Sequence, residues 1–190
     1  EAAAAEAARR PRQILLDTAV GLEPTLEREL ERLGIRGRRW RYRGGVALEA
    51  PEAALWRAAL ECRVLEGVRL GLARSFHAPY ESTLRNHAAG VPWSDYLRFG
   101  SEALYPPIRV STERSRLYHT EVVERSVATA IEEQRQQFMK DMLQRCQDSD
   151  VYQQPEQLDP LPTVHVELHR DECQLSLAAT ASPHPRAYLA

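Results

Sequence analysis

The chain has 190 residues, 43% of them hydrophobic and 27% charged, the balance of a globular protein rather than a disordered or fibrous one. Its formal net charge of −2 excludes a uniformly basic nucleic-acid binder, so any contact with a polyanion has to come from local clustering. Cys62, Cys146 and Cys173 are far apart and fit neither a disulfide framework nor a zinc spacing, and no apolar run approaches the roughly 20 residues that span a bilayer.

The alanine-rich residues 1–11 read as a flexible tail, and because the first residue is glutamate a removed or unobserved segment is expected before it, a targeting peptide being one candidate. Residues 13–20 form a β-like run centred on Ile14, Leu15 and Leu16. It leads through Gly21 into an amphipathic helix, with Leu22, Leu26, Leu30 and Leu33 at helical spacing. Gly34 ends that helix, because glycine takes the left-handed conformation without steric cost. Residues 38–43 and 46–50 read as a hairpin turning at Gly44 and Gly45. Pro51 suits the first position of a second helix, whose apolar stripe is Leu55, Ala58, Ala59 and Cys62. A strand over 65–76 completes the order β-α-β-β-α-β, a ferredoxin-like domain over 12–78.

A second α/β domain is expected over 79–180. It begins with a helix over 82–89 and an apolar knot of Val91, Pro92, Trp93, Tyr96 and Leu97. A strand over 108–112 follows, then a helix over 121–134 with Val123, Val127, Ala130 and Ile131 on one face. Thr120 is expected to cap it, with Glu121 and Glu124 in the first turn suiting the helix dipole. Residues 134–162 are glutamine-rich, then gain Pro155, Pro160 and Pro162, which reads as a helix extension followed by an irregular loop inserted in the domain. Strands over 163–168 and 174–178 would pair through a turn at Arg170, Asp171 and Glu172, leaving 181–190 as a tail or linker.

Two arginine clusters could carry function. Arg36, Arg38, Arg39, Arg41 and Arg43 interleave with Trp40 and Tyr42, and on a strand Arg39, Arg41 and Arg43 share one face. Guanidinium groups pair bidentately with phosphate and aromatic rings stack on unpaired bases, so this is a candidate RNA-facing edge; a charge-protected edge strand is the competing explanation. Arg109, Arg114, Arg116 and Arg125 surround Ser115, Leu117, Tyr118, His119 and Thr120 at a strand-to-helix junction, where backbone donors attract phosphate. A capped helix with incidental surface arginines would give the same pattern. His165, Glu167 and His169 alternate on one strand face and could hold zinc or iron, although an exposed polar face explains them equally well. No glycine loop matches a phosphate-binding or dinucleotide fingerprint, and Ser115 near His119 lacks a nucleophile elbow.

The chain resembles the THUMP-containing guanine-N2 methyltransferases that modify large-subunit ribosomal RNA. The residues that carry this are Gly21, Leu22 and Glu23 before the leucine helix, Gly44, Gly45 and Val46 in the hairpin, and Trp93 with Tyr96 and Leu97. The run Ser115, Arg116, Leu117, Tyr118, His119, Thr120 is the most specific of them, and the match spans about 13–178. The resemblance implies an α+β protein, a ferredoxin-like βαββαβ domain followed by a THUMP α/β domain, that binds structured RNA, ribosomal RNA above all. It places catalysis on a separate S-adenosylmethionine-dependent domain, and this chain has no catalytic residues, metal or cofactor of its own. The stretch Ala178, Ala179, Thr180, then Arg186, Ala187, Tyr188, Leu189 departs from the family's Arg-Gly-Tyr-Arg entry into that domain. A non-catalytic component of a ribosome, in contact with ribosomal proteins and organellar in a mitochondrion or plastid, is therefore an alternative, and a small metal-dependent hydrolase around His165 and His169 an outside one. A soluble, intracellular protein without membrane contact is expected.

Overall fold

The structure, a computed structural model, describes residues 11–97, 99, 105–146 and 161–179. Its elements are β1 (Arg12–Thr18), α1 (Glu23–Arg32), β2 (Arg38–Tyr42), β3 (Gly45–Ala50), α2 (Ala53–Glu61), β4 (Leu65–Gly71) and β5 (Phe76–His77). They continue with α3 (Glu81–Ala89), a 3-10 turn (Trp93–Asp95), β6 (Ile108–Glu113), α4 (Thr120–Cys146), β7 (Val164–His169) and β8 (Glu172–Ala178). The described residues divide into two compact units, one running through Arg74 and resuming at Ser176, the other Ser75–Leu175.

In the first unit the strands lie in the order β2-β3-β1-β4, every neighbouring pair antiparallel, and the end of β8 pairs outside β4 with Leu177 opposite Leu70. This is the ferredoxin-like arrangement, with α1 and α2 on one face of the sheet. Ile14 and Leu16 of β1, Val46 and Leu48 of β3, Leu26 and Leu30 of α1 and Leu55 of α2 share the core between them. The strand alternation puts Ile14 and Leu16 toward the helices because a period of two sends odd and even positions to opposite faces.

The end of α1 follows from Gly34, whose φ of +65° is left-handed. Its N–H donates to the Glu31 carbonyl (2.9 Å) and the Ile35 N–H to that of Leu30 (3.0 Å), the paired bonds of a Schellman motif. The hairpin turn needs both of its glycines. Gly44 has φ +81°, and a Cβ on Gly45 would stand 2.3 Å from the Tyr42 ring and 2.5 Å from the Leu16 carbonyl oxygen. Pro51 precedes α2 rather than opening it; its carbonyl accepts from Ala54 N–H (2.9 Å) and the helix starts at Ala53. The expected strand over 65–76 is two strands, because the register of β4 ends at Gly71 and only Phe76 and His77 pair again, with Cys173 and Glu172 of β8.

In the second unit β7 lies between β6 and β8, and β6 pairs with β7 in parallel, Ile108 opposite Val164 and Glu113 opposite His169. Val164, Val166 and Leu168 are buried, as are Val123, Val127, Ala130 and Ile131 of α4. The helix α4 runs 27 residues to Cys146, so the glutamine-rich stretch is a continuation of it; the loop expected beyond lies almost wholly outside the described residues, as do the expected terminal tails. Trp93 is fully buried, donates from its indole Nε1 to the Ala88 carbonyl (2.9 Å), and is tied to α4 by Gln134. The Gln134 Oε1 accepts from Trp93 N–H (3.0 Å) while its Nε2 donates to the carbonyls of Ala89 (2.7 Å) and Val91 (2.6 Å).

Candidate nucleic-acid interface

The arginines of β2 separate by face. Arg39 stands opposite Leu48 and Arg41 opposite Val46, so both lie on the side that the helices cover. There Arg41 Nε donates to Glu27 Oε2 (2.8 Å) with a second bond from its Nη2, and Arg39 bonds the Ile35 carbonyl and stands 3.9 Å from Glu31. The Arg39 side chain is only 16% exposed. Both guanidinium groups thus hold β2 against α1. Arg36, Arg38 and Arg43 are exposed and paired with no described carboxylate, and Trp40, on the face of Arg38 and Tyr42, is 38% exposed.

On that second face Arg69 of β4 grips Asp17 of β1 with two bonds, Nε to Oδ2 (2.8 Å) and Nη2 to Oδ1 (2.6 Å). Tyr42 donates its hydroxyl to the same Oδ1 (2.6 Å), and Arg69 Nη1 reaches Ser176 Oγ (3.4 Å). Burial first, and the Asp17 charge second, push the Tyr42 phenol well above its ordinary range, so it stays a donor. Tyr42 is therefore a strut of the sheet. The motif glycines have a similar explanation: Glu23 accepts from the Gly21 N–H (2.8 Å) and from the Gly44 N–H (2.8 Å), clasping the start of α1 to the hairpin turn. The Gly44 bond is the largest cause that holds the Glu23 carboxyl below its usual value.

In the second unit the loop between β6 and α4 and the turn between β7 and β8 are knit into one corner. Ser115 Oγ donates to the Glu113 carbonyl (3.1 Å) and accepts from Asp171 N–H (3.0 Å). Asp171 Oδ1 accepts from Arg116 N–H (2.7 Å), its Oδ2 stands 3.8 Å from Arg116 Nε, and its carbonyl accepts from Ala78 N–H (2.7 Å). The Arg170 N–H donates to the Glu113 carbonyl (3.0 Å) and Leu117 is buried beneath. Arg114, Arg116, Tyr118, His119, Thr120 and Arg125 are left exposed, with the Tyr118 and His119 rings 4.1 Å apart and tilted. Arg116 Nη1 also donates to the Tyr80 hydroxyl (3.4 Å).

The corner thus brings together Arg114, Ser115, Arg116, His119 and Thr120, with Arg125 in the second turn of α4. Ser115 is spent on the backbone and serves as a brace. The cap of α4 is His119, whose carbonyl accepts from Val123 N–H (3.2 Å) and Val122 N–H (3.1 Å); Thr120 is already helical and does not cap, because the cap is the residue whose carbonyl takes the first helical bond. Arg109 lies on the exposed face of β6 opposite His165 of β7, with Ser111 opposite Glu167, and is separate from the corner. The sequence does not signal that Tyr80 and Arg170 belong to this corner, because Tyr80 is reached by Arg116 Nη1 and Arg170 arrives beside Asp171, both over long separations in the chain.

His169 stands 3.4 Å from Glu113, and among the described residues no group of three or more histidines, cysteines and carboxylates is placed to hold a metal ion. Cys62 and Cys173 are buried thiols pushed up to about 11 and about 12, burial being the main cause, so neither is a thiolate at neutral pH. No helix among the described residues is long and apolar enough to cross a membrane.

The fold is that of an α+β protein in which a ferredoxin-like unit is followed by an α/β unit, as the sequence led one to expect. Residues 13–68 match the family model of the RlmL ferredoxin-like domain. No curated protein sequence matches the chain. Among solved structures it is similar to a predicted N6-adenine-specific DNA methylase from Listeria monocytogenes, with a TM-score of 0.68, 23% identity, and coverage of 92% of this chain and 42% of that one. It is also similar to TrmN from Thermus thermophilus, with a TM-score of 0.61, 20% identity, and coverage of 92% and 47%. A possible methylase from Clostridium difficile gives 0.67, 20%, 92% and 42%. At these identities the likeness is one of fold, and the chain spans less than half the length of each of these structures.

Proposed function

We propose that the chain is the RNA-binding part of a THUMP-type RNA methyltransferase, gripping structured RNA, with large-subunit ribosomal RNA as its target. Methyl transfer to guanine N2 from S-adenosylmethionine would belong to a further domain of the full protein, and the residues of this chain bind and orient the RNA. The observation that carries the reading is the braced corner. Arg114 and Arg116 are exposed yet their backbone is fixed by Ser115 and Asp171, so little ordering entropy is lost when a phosphate arrives. Tyr118 and His119 beside them offer flat surfaces to an unstacked base. In support, the fold is that of proteins described as methylases, and residues 13–68 match a domain model of RlmL.

A gel-shift titration with a structured ribosomal RNA fragment tests it. Arg114→Gln with Arg116→Gln is expected to weaken binding at least tenfold, whereas Arg39→Gln with Arg41→Gln, which removes the ties to α1, lowers thermal stability more than affinity. Equal affinity of the Arg114/Arg116 variant and the wild type would remove the corner from the interface.

A further inference from the structure

Among the described residues, the non-glycine residues with positive φ are Arg114 (+52°), Arg170 (+53°) and Asp171 (+65°), and all three lie at this one corner. A left-handed backbone pushes Cβ against the following carbonyl, which glycine avoids and which asparagine or aspartate tolerates through local hydrogen bonds. Asp171 is of the residue type that tolerates it, and its carboxylate accepts from the Arg116 N–H across the corner. Arginine has no such relief. The two-residue turn between His169 and Glu172 is the kind for which Asn-Gly is the favoured sequence, and here Arg170 occupies the first central position. Backbone strain of this kind persists where the surroundings over-determine it, and its clustering directs attention to function.

What the strain gains is placement. The Arg170 N–H donates to the carbonyl of Glu113, the residue before Arg114, and the Asp171 N–H to the hydroxyl of Ser115, the residue after it, so the two strained arginines lie beside the same two cross-corner hydrogen bonds. The Arg170 side chain is exposed and paired with no described carboxylate, while Arg114 has Glu113 at 3.9 Å and Arg116 has Asp171 at 3.8 Å. Arg170 is therefore the arginine of the β7–β8 turn whose full charge is open to an anion.

We propose that Arg170 is a phosphate-contacting residue of the RNA site, its guanidinium completing with Arg114 and Arg116 a three-arginine cradle for the RNA backbone. This rests on the RNA-binding reading above and extends it to a turn outside the β6–α4 loop. The chemistry is bidentate guanidinium-to-phosphate pairing, which is independent of base identity.

The test is Arg170→Gly in the full chain, measured by thermal unfolding and by RNA binding over a series of KCl concentrations. Glycine adopts the +53° backbone freely, so the variant is expected to melt at the same temperature as the wild type or higher. Its RNA affinity is expected to fall several-fold, with the slope of log K against log[KCl] shallower by about one unit. Arg170→Lys, which keeps the charge, is expected to recover part of the affinity. Unchanged affinity and slope in Arg170→Gly would overturn the proposal, and if Arg114→Gln with Arg116→Gln still weakens binding, the RNA-binding reading stands without it. A lower melting temperature would also overturn it by making Arg170 a structural residue. Wild-type protein that binds no RNA at low salt would defeat both.

Discussion

Glu23 joins the turn at Gly21 to the hairpin turn at Gly44, 21 residues beyond Glu23 itself, and its two backbone hydrogen bonds explain why a carboxylate stands just inside α1. Because its folded pKa is depressed below the ordinary value of 4.5, its contribution to stability is present above that value and is lost as pH falls through the lower folded one. Glu23→Gln is therefore expected to melt below the wild type at neutral pH, with the gap narrowing in acid; a gap independent of pH between 6 and about 3 would rule out the charged clasp. Arg69 is a second case. Its side chain is 7% exposed, and Arg69→Met leaves Asp17 and the Tyr42 hydroxyl facing each other without a cation. Discounted for the partial exposure of Asp17, the expected loss is about 3 kcal/mol in denaturant unfolding, and a loss under about 1 kcal/mol would show that water replaces the guanidinium. Neither tie was legible in the sequence, because a long-range partner leaves no mark on local spacing.

At the scale of elements, period and turn chemistry were readable and ends were not. Leu26 and Leu30 of the expected leucine stripe are buried, while Leu22 is the exposed N-cap of α1 and Leu33 its half-buried C-cap. The stop at Gly34 and the hairpin at Gly44 and Gly45 stand as expected, since each depends on residues within a few positions of one another. The end of β1 at Thr18, the gap between β4 and β5 and the cap at His119 depend on which strand or helix lies alongside, which spacing alone does not reveal. The alternation of β2 correctly grouped Arg39 with Arg41, but not which face α1 covers, so both guanidinium groups turned out to be engaged by α1. The attachment of α4 to the Trp93 knot through Gln134 gives an element-scale prediction. Gln134→Ala removes three hydrogen bonds between α4 and the Trp93 segment, and is expected to cost about 2 kcal/mol in denaturant unfolding. A change of less than about 0.5 kcal/mol would mean that the long helix is held by its apolar face alone.

For the molecule as a whole, the α+β class and the ferredoxin-like order were legible because six consecutive elements had to agree, and both are observed. The candidate site was legible only in part. The run 114–120 stood out by composition, but Arg170 is brought to it with Asp171, 55 residues from Arg116, and Tyr80 by the Arg116 side chain, 36 residues away. With a net charge of −2, the average surface does not attract a polyanion, so the proposed RNA binding requires a few locally clustered arginines. Binding of a structured ribosomal RNA fragment as a function of KCl measures this most directly. A linear fall of log K with log[KCl] is expected, with a slope shallower by roughly 1.5 to 2 units when Arg114 and Arg116 are both changed to glutamine. RNA affinity that is indifferent to salt, or a slope that the double variant leaves unchanged, would contradict it.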